Sequence, residues 1–344
     1  MISNTSVRAA VLGVVALAAV PAAAAEVNVY TYREKPLIQP LFDKFTQETG
    51  IKVNVVYGSK GLEERIKAEG QASPADVLMT VDAALLVRAR ELDITQPIKS
   101  AKVEAAVPAQ FRDPDGNWVG FTYRARVIYA SKDRVKDTKI SYADLADPKW
   151  KGKFCVRSGQ HPYNIALISA AIAHWGTDKT ETWLKGVKAN LTGKPAGNDR
   201  SQVKAIFSGE CDIALGNTYY YGLMANNDKE PEQKEWAKSV KVIFPTFETG
   251  GSHVNIGGAA LTKYAPHKDE AMKLIEFMAS DEAQEAYASL NYEYPVKPGI
   301  GVAQTIKDLG AVTPDKINLG EVAKHRGAAA DLVDKVGFDN GPAS

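Results

Sequence analysis

Fourteen tyrosines are spread through the chain, and three of them stand side by side as Tyr219-Tyr220-Tyr221. The triplet follows the apolar run Ile213-Ala214-Leu215 and precedes Gly222. That places its phenols at the carboxyl end of a strand, where open α/β sheets hold ligands. Tyr163 has the matching place after the strand 154–156, and Tyr32 has it after the strand 27–30. A phenolate oxygen is a hard anionic donor suited to a hard trivalent cation. A free phenol titrates at about pH 10, so several ionise near neutrality only beside a strong positive charge such as bound Fe3+. Calcium or magnesium would draw on carboxylates and carbonyls instead. Neighbours on an extended strand face opposite ways, so two consecutive tyrosines share one ion only if the backbone turns beneath them. A helix start before Gly222 supplies that turn. On residue types alone, a sugar-stacking platform or a structural cluster fits the same triplet. Tyr30, Tyr57, Tyr123, Tyr129 and Tyr142 read as structural, while Tyr287, Tyr292 and Tyr294 end a surface helix or line a cleft.

Catalytic signatures are missing. There is no GxSxG, HExxH or phosphate loop, and Gly299-Ile300-Gly301 fails as a dinucleotide fingerprint because Gln304 stands at its third glycine position. His161, His174, His253, His267 and His325 are scattered without ligand spacing. The expectation is therefore a binding protein rather than an enzyme, with an organic or oxyanion solute as the rival cargo and a secreted hydrolase as the rival from another class. The 42 Lys and Arg against 41 Asp and Glu give a formal charge of +1, which suggests neither a nucleic-acid-binding surface nor an acidic tail.

The elements that must position these rings alternate between short apolar strands and amphipathic helices, the pattern of parallel sheets covered by helices. Strands are expected at 27–30, 51–57 and 77–79, with helices at 37–45 stopped by Gly50, 62–69 ended by Gly70, and 83–91 capped by Asp82. A second series has strands at 127–129, 154–156, 213–215 and 242–244. Its helices are 164–174, 179–189 and 202–207, the last capped by Asp199. A strand at 257–262 and helices at 268–278 and 281–290 follow. At 344 residues the chain suits two lobes better than one very large sheet, with crossings near 121–126 and 246–255. Arg8, the apolar run 9–20 and Pro21-Ala22-Ala23-Ala24-Ala25 read as a secretory signal peptide over 1–25. Export makes a disulfide between Cys155 and Cys211, both read as strand residues, the leading expectation over free thiols or a metal pair. No later stretch has the length of a membrane span.

The order of elements, the stretch Asp147-Pro148-Lys149-Trp150-Lys151-Gly152-Lys153, the segment His253-Val254-Asn255-Ile256 and above all Gly216-Asn217-Thr218-Tyr219-Tyr220-Tyr221 resemble the periplasmic ferric-iron-binding proteins of ABC importers, the Fbp and Fut type. The likeness spans essentially the whole chain after the leader. It implies an α/β, two-lobed type II periplasmic binding protein, with a mixed β-sheet flanked by helices in each lobe and a ligand cleft between them. The N-lobe would take 26–123 and 254–290, the C-lobe 124–253, and 291–344 would pack on the lobes. The resemblance implies that Tyr219, Tyr220 and Tyr163 hold Fe3+, with Tyr221 turned elsewhere. It implies a first-lobe ligand at Tyr32 or Glu34, and an anion such as carbonate near Arg124. His161 stands where some relatives have a serine for that anion, and Arg33 is placed to balance phenolate charge. The implied setting is a monomer in the periplasm that delivers iron to an inner-membrane permease, without membrane insertion.

Overall fold

A computed structural model describes residues 25–248 and 250–342; the leader read from the sequence falls almost entirely outside them. The sheet contains β1 (Glu26–Thr31), β2 (Lys52–Tyr57), β3 (Val77–Thr80), β4 (Thr95–Gln96), β5 (Val119–Ser131), β6 (Phe154–Cys155), β7 (Ile213–Asn217), β8 (Val240–Ile243), β9 (Val254–Thr262) and β10 (Tyr294–Pro295). Its main path runs β2-β1-β3-β9-β5-β7-β6. Strands β2, β1 and β3 are parallel, β9 is antiparallel to β3 and β5, and β6 and β7 are parallel to each other.

Strand β5 ties the two halves together. Val119–Ala125 lies along β9, whereas Arg126 to Ala130 lies along β7 and Ile128 to Ser131 along β8. The chain recrosses just before β9, where Arg126 N–H bonds the His253 carbonyl at 3.0 Å. A third pass runs beside it: Ser252 N–H bonds Thr313 O and Asp315 N–H bonds Ser252 O, each at 2.8 Å.

Hydrophobic spacing explains the flanking helices. Lys35–Thr49 buries Ile38, Leu41, Phe42 and Phe45 on one face and stops at Gly50, whose φ of 71° suits a residue without Cβ. Pro162–Trp175 is apolar on nearly every side because it lies under the helices Leu319–Lys324 and Arg326–Val336. Leu319–Lys324 also packs on Ala83–Glu91, so the C-terminal segment touches helices from both halves. Among the described residues, no helix is long and apolar enough to cross a membrane.

Three local expectations change. The strand read at 127–129 is the far end of the 13-residue β5. Asp199 does not cap its helix: Asn198 does, in a capping box with Ser201, and the helix runs Asp199–Ser208. Cys211 precedes β7 rather than lying in it, yet it is bonded to Cys155 with the Cα atoms 5.9 Å apart.

Candidate metal centre in the interlobe cleft

Strand β7 ends at Asn217, and the helix Thr218–Ala225 begins at the next residue. This is the turn that lets consecutive tyrosines face one place: Tyr219 and Tyr220 lie in the first helical turn, with ring centroids 4.2 Å apart. Tyr163 is also in a first turn, that of Pro162–Trp175, and its hydroxyl lies 3.1 Å from that of Tyr219. The parallel pairing of β6 and β7 and the disulfide from Cys155, the last residue of β6, to Cys211, just before β7, fix these two strands side by side. Tyr221 packs instead against the apolar core.

The phenols are set against ionising by themselves. Burial raises Tyr219 well above the ordinary phenol range, and the nearness of Tyr163 and Tyr220 raises it further. Burial, with Tyr163 and Asp199 adding to it, pushes Tyr220 up to about 12. A cation must therefore displace their protons. Positive charge already surrounds the rings. The Arg157, Arg124 and Arg126 guanidinium carbons lie 5.4, 5.9 and 6.0 Å from the Tyr163 ring centroid, and Arg200 lies 5.0 Å from that of Tyr220. Fully buried Asp199 holds two of these arginines, accepting from Arg126 Nη1 at 3.1 Å and Arg157 Nη1 at 3.4 Å. Arg126 Nη2 donates to Asn164 Oδ1 at 2.7 Å, next to Tyr163 in the chain. Those bonds take Asp199 out of helix capping.

Across the cleft the arrangement differs. Tyr32 shares a cavity of about 710 Å3 with His161, Pro162 and Tyr163. Its hydroxyl accepts from Leu62 N–H at 2.7 Å and donates to Glu63 Oε2. Glu34 is exposed at the head of Lys35–Thr49 and does not line that cavity. Arg33 is buried in a two-bond pair with Glu293 at 3.1 and 3.3 Å, beside the Tyr287 ring.

Arg124 donates from Nη2 to Val81 O, while its buried Nη1 has no hydrogen-bond partner. A small cavity lined by Arg124, Tyr163, Asn217 and Asn255 adjoins it. An unpaired buried donor is costly, and an anion would satisfy it. His161 instead caps its helix, Nδ1 accepting from Tyr163 N–H at 3.2 Å. Burial, then Arg157, lowers it to about 4, so it is neutral at pH 7 and offers an anion no charge. His253 is buried and lowered to about 3, by desolvation first and then by Arg126 and Arg124.

The structure thus brings together Tyr163, Tyr219 and Tyr220, sets Tyr32 on the cleft wall, and leaves Glu34 and Arg33 out of the hydroxyl cluster. Sequence reading missed Glu63, Asp199 as an arginine partner, Arg157 and Arg200. Glu63 had a signal: it sits three residues before Ile66, on the buried face of Leu62–Glu69.

A two-lobed α/β fold with a cleft between the lobes defines a periplasmic-type binding protein. Residues 31–285 match the bacterial extracellular solute-binding protein family, and the chain belongs to it. The chain is 42% identical over 324 residues to iron uptake protein A1 of Synechocystis, covering 94% of this chain and 90% of that one. It superposes on the Bordetella ferric binding protein with a TM-score of 0.88 at 50% identity, covering 92% of this chain and 100% of that one. A Trichodesmium protein solved with iron and citrate ligands gives a TM-score of 0.87 at 42% identity, covering 91% and 99%. These likenesses agree with the expected fold, a mixed sheet flanked by helices in two lobes.

Proposed function

We propose that the protein captures ferric iron in the interlobe cleft and hands it to an inner-membrane ABC permease. Tyr163, Tyr219 and Tyr220 are the C-lobe ligands in this reading and Tyr32 the N-lobe ligand. Arg124 receives a small anion, such as carbonate, beside the ion. The observation that carries the proposal is the convergence of hydroxyls from two adjacent strand ends, 3.1 Å apart between Tyr163 and Tyr219. Hard phenolates and a surrounding arginine belt suit a trivalent ion accompanied by anions. The names of the relatives, an iron uptake protein and a ferric binding protein, support the cargo.

We assign 26–123 with 254–290 to the N-lobe, 124–253 to the C-lobe, and 291–344 to a segment that packs on both. The working form is a periplasmic monomer that closes around its cargo by bending where β5 passes between lobes, without catalysis.

The test is a Tyr219→Phe/Tyr220→Phe variant. Two lost phenolates should remove the visible phenolate-to-iron absorption band and cut ferric affinity by at least about a thousandfold, roughly 4 kcal/mol. A folded double variant that keeps its colour and tight binding overturns the proposal.

A further inference from the structure

Tyr32 faces the cleft with its hydroxyl already engaged on both sides. It accepts from Leu62 N–H at 2.7 Å and donates to the Glu63 carboxylate. Glu63 is 2% exposed, so water does not readily replace it, and both side chains line the cleft wall facing His161 and Tyr163. We propose that Glu63 is a latch, holding Tyr32 in the ion-free protein and having to release it when the ferric ion binds. The proposal rests on Tyr32 being the N-lobe ligand.

The two bonds to Tyr32 respond oppositely to an ion. A phenolate oxygen bound to metal is a better acceptor than a phenol, so the Leu62 N–H bond survives and strengthens. The proton that Tyr32 gives up leaves to solvent through the open cleft. Glu63 stays ionised, and the bond to Glu63 then has no such future, because the phenolate has no proton to donate. The carboxylate would then face an anionic oxygen across a hydrogen-bond distance, which is repulsive. Glu63 and Tyr32 must part.

The chain turns just before Glu63. Gly61, at φ 73°, precedes the helix that carries Glu63, and nothing lies within 4 Å of where its Cβ would be. Ser59, Lys60 and Gly61 also line the cleft rather than the core. Because its bond to Tyr32 must be given up, Glu63 is a positioning residue that holds ferric affinity below what the tyrosines alone would give.

The sign of this effect separates it from simple charge attraction. Deleting a carboxylate near a cation site ordinarily weakens cation binding, whereas deleting a latch tightens it. Ferric affinity by competition against citrate, together with the visible band, would be measured for the wild type, Glu63→Ala, Glu63→Gln, Tyr32→Phe and the Tyr32→Phe/Glu63→Ala double variant. Glu63→Ala should bind about tenfold tighter, the scale of one charge-assisted hydrogen bond. Glu63→Gln, which keeps an acceptor but not the charge, should gain less and guards against a folding defect in the alanine variant. With Tyr32 already Phe, Glu63→Ala should change nothing. If Tyr32→Phe weakens binding while both Glu63 variants bind no tighter than wild type, the latch fails and Tyr32 remains a ligand. If Tyr32→Phe leaves affinity and band untouched, the ligand assignment fails and the latch with it. A gain from Glu63→Ala that persists without the Tyr32 hydroxyl also overturns the latch.

Discussion

The two walls of the cleft are built in different states of readiness. On the C-lobe side, Tyr163 and Tyr219 already meet, Tyr220 packs tilted beside Tyr219, and Asp199 with its arginines fixes the surroundings. On the N-lobe side, Tyr32 is bound to Glu63 and Leu62, and the neighbouring charge of Arg33 is matched by Glu293. In the proposed reading, one wall is an assembled half-site and the other must break contacts to contribute. A site divided in this way can first take its cargo on the assembled wall, and closure then adds the remaining ligand.

The largest effect that tests this contrast is the proton count. Burial keeps Tyr219 and Tyr220 protonated at neutral pH, so each phenolate ligand releases one proton. Affinity should fall as pH falls, by close to three decades per pH unit for about three phenolates and four decades if Tyr32 joins them. Proton release on loading, measured by titration in weak buffer, gives the number; a count near zero would break the comparison on both sides. Next in size, Tyr163→Phe should weaken ferric binding about a hundredfold and Tyr32→Phe only about tenfold, because releasing Tyr32 costs bonds that offset its gain. Equal losses in the same citrate competition would show the two walls to be equally prepared.

The smallest effect concerns stability. His253 is held neutral beside Arg126 and Arg124, its folded value lowered to about 3. The unfolded chain binds the proton first, so this contribution is complete above about pH 6.5 and is lost progressively as pH falls towards the folded value. Between about pH 7 and about pH 5 the loss should reach about 2 kcal/mol. A His253→Asn variant should unfold in urea with a flatter dependence across that window, and an unchanged dependence would remove His253 from the account.

Much of the assembled wall was legible because it follows from chain order. Parallel strands bring their carboxyl ends to one edge, so tyrosines just beyond β6 and β7 are neighbours before any side chain is placed. Which members of the triplet gather beside Tyr163 was not legible from spacing, since it depends on the helix beginning at Thr218. Asp199 was misread because Ser, Asn and Asp all suit a cap, and its neighbour Asn198 took the position. Glu63 was missed for a different reason. Its partner Tyr32 is 31 residues away, and an acidic residue in a helix's first turn is ordinarily explained by the dipole alone.

Because β5 donates and accepts main-chain bonds in both halves of the molecule, neither lobe is a removable cassette. Cutting the chain near Ala125 and Arg126 would strip each half of its central pairing partner and leave raw edges open to aggregation. Fragments made separately should not reassemble into a working carrier, and lobes exchanged between relatives should succeed only when the whole of this spine travels with one of them.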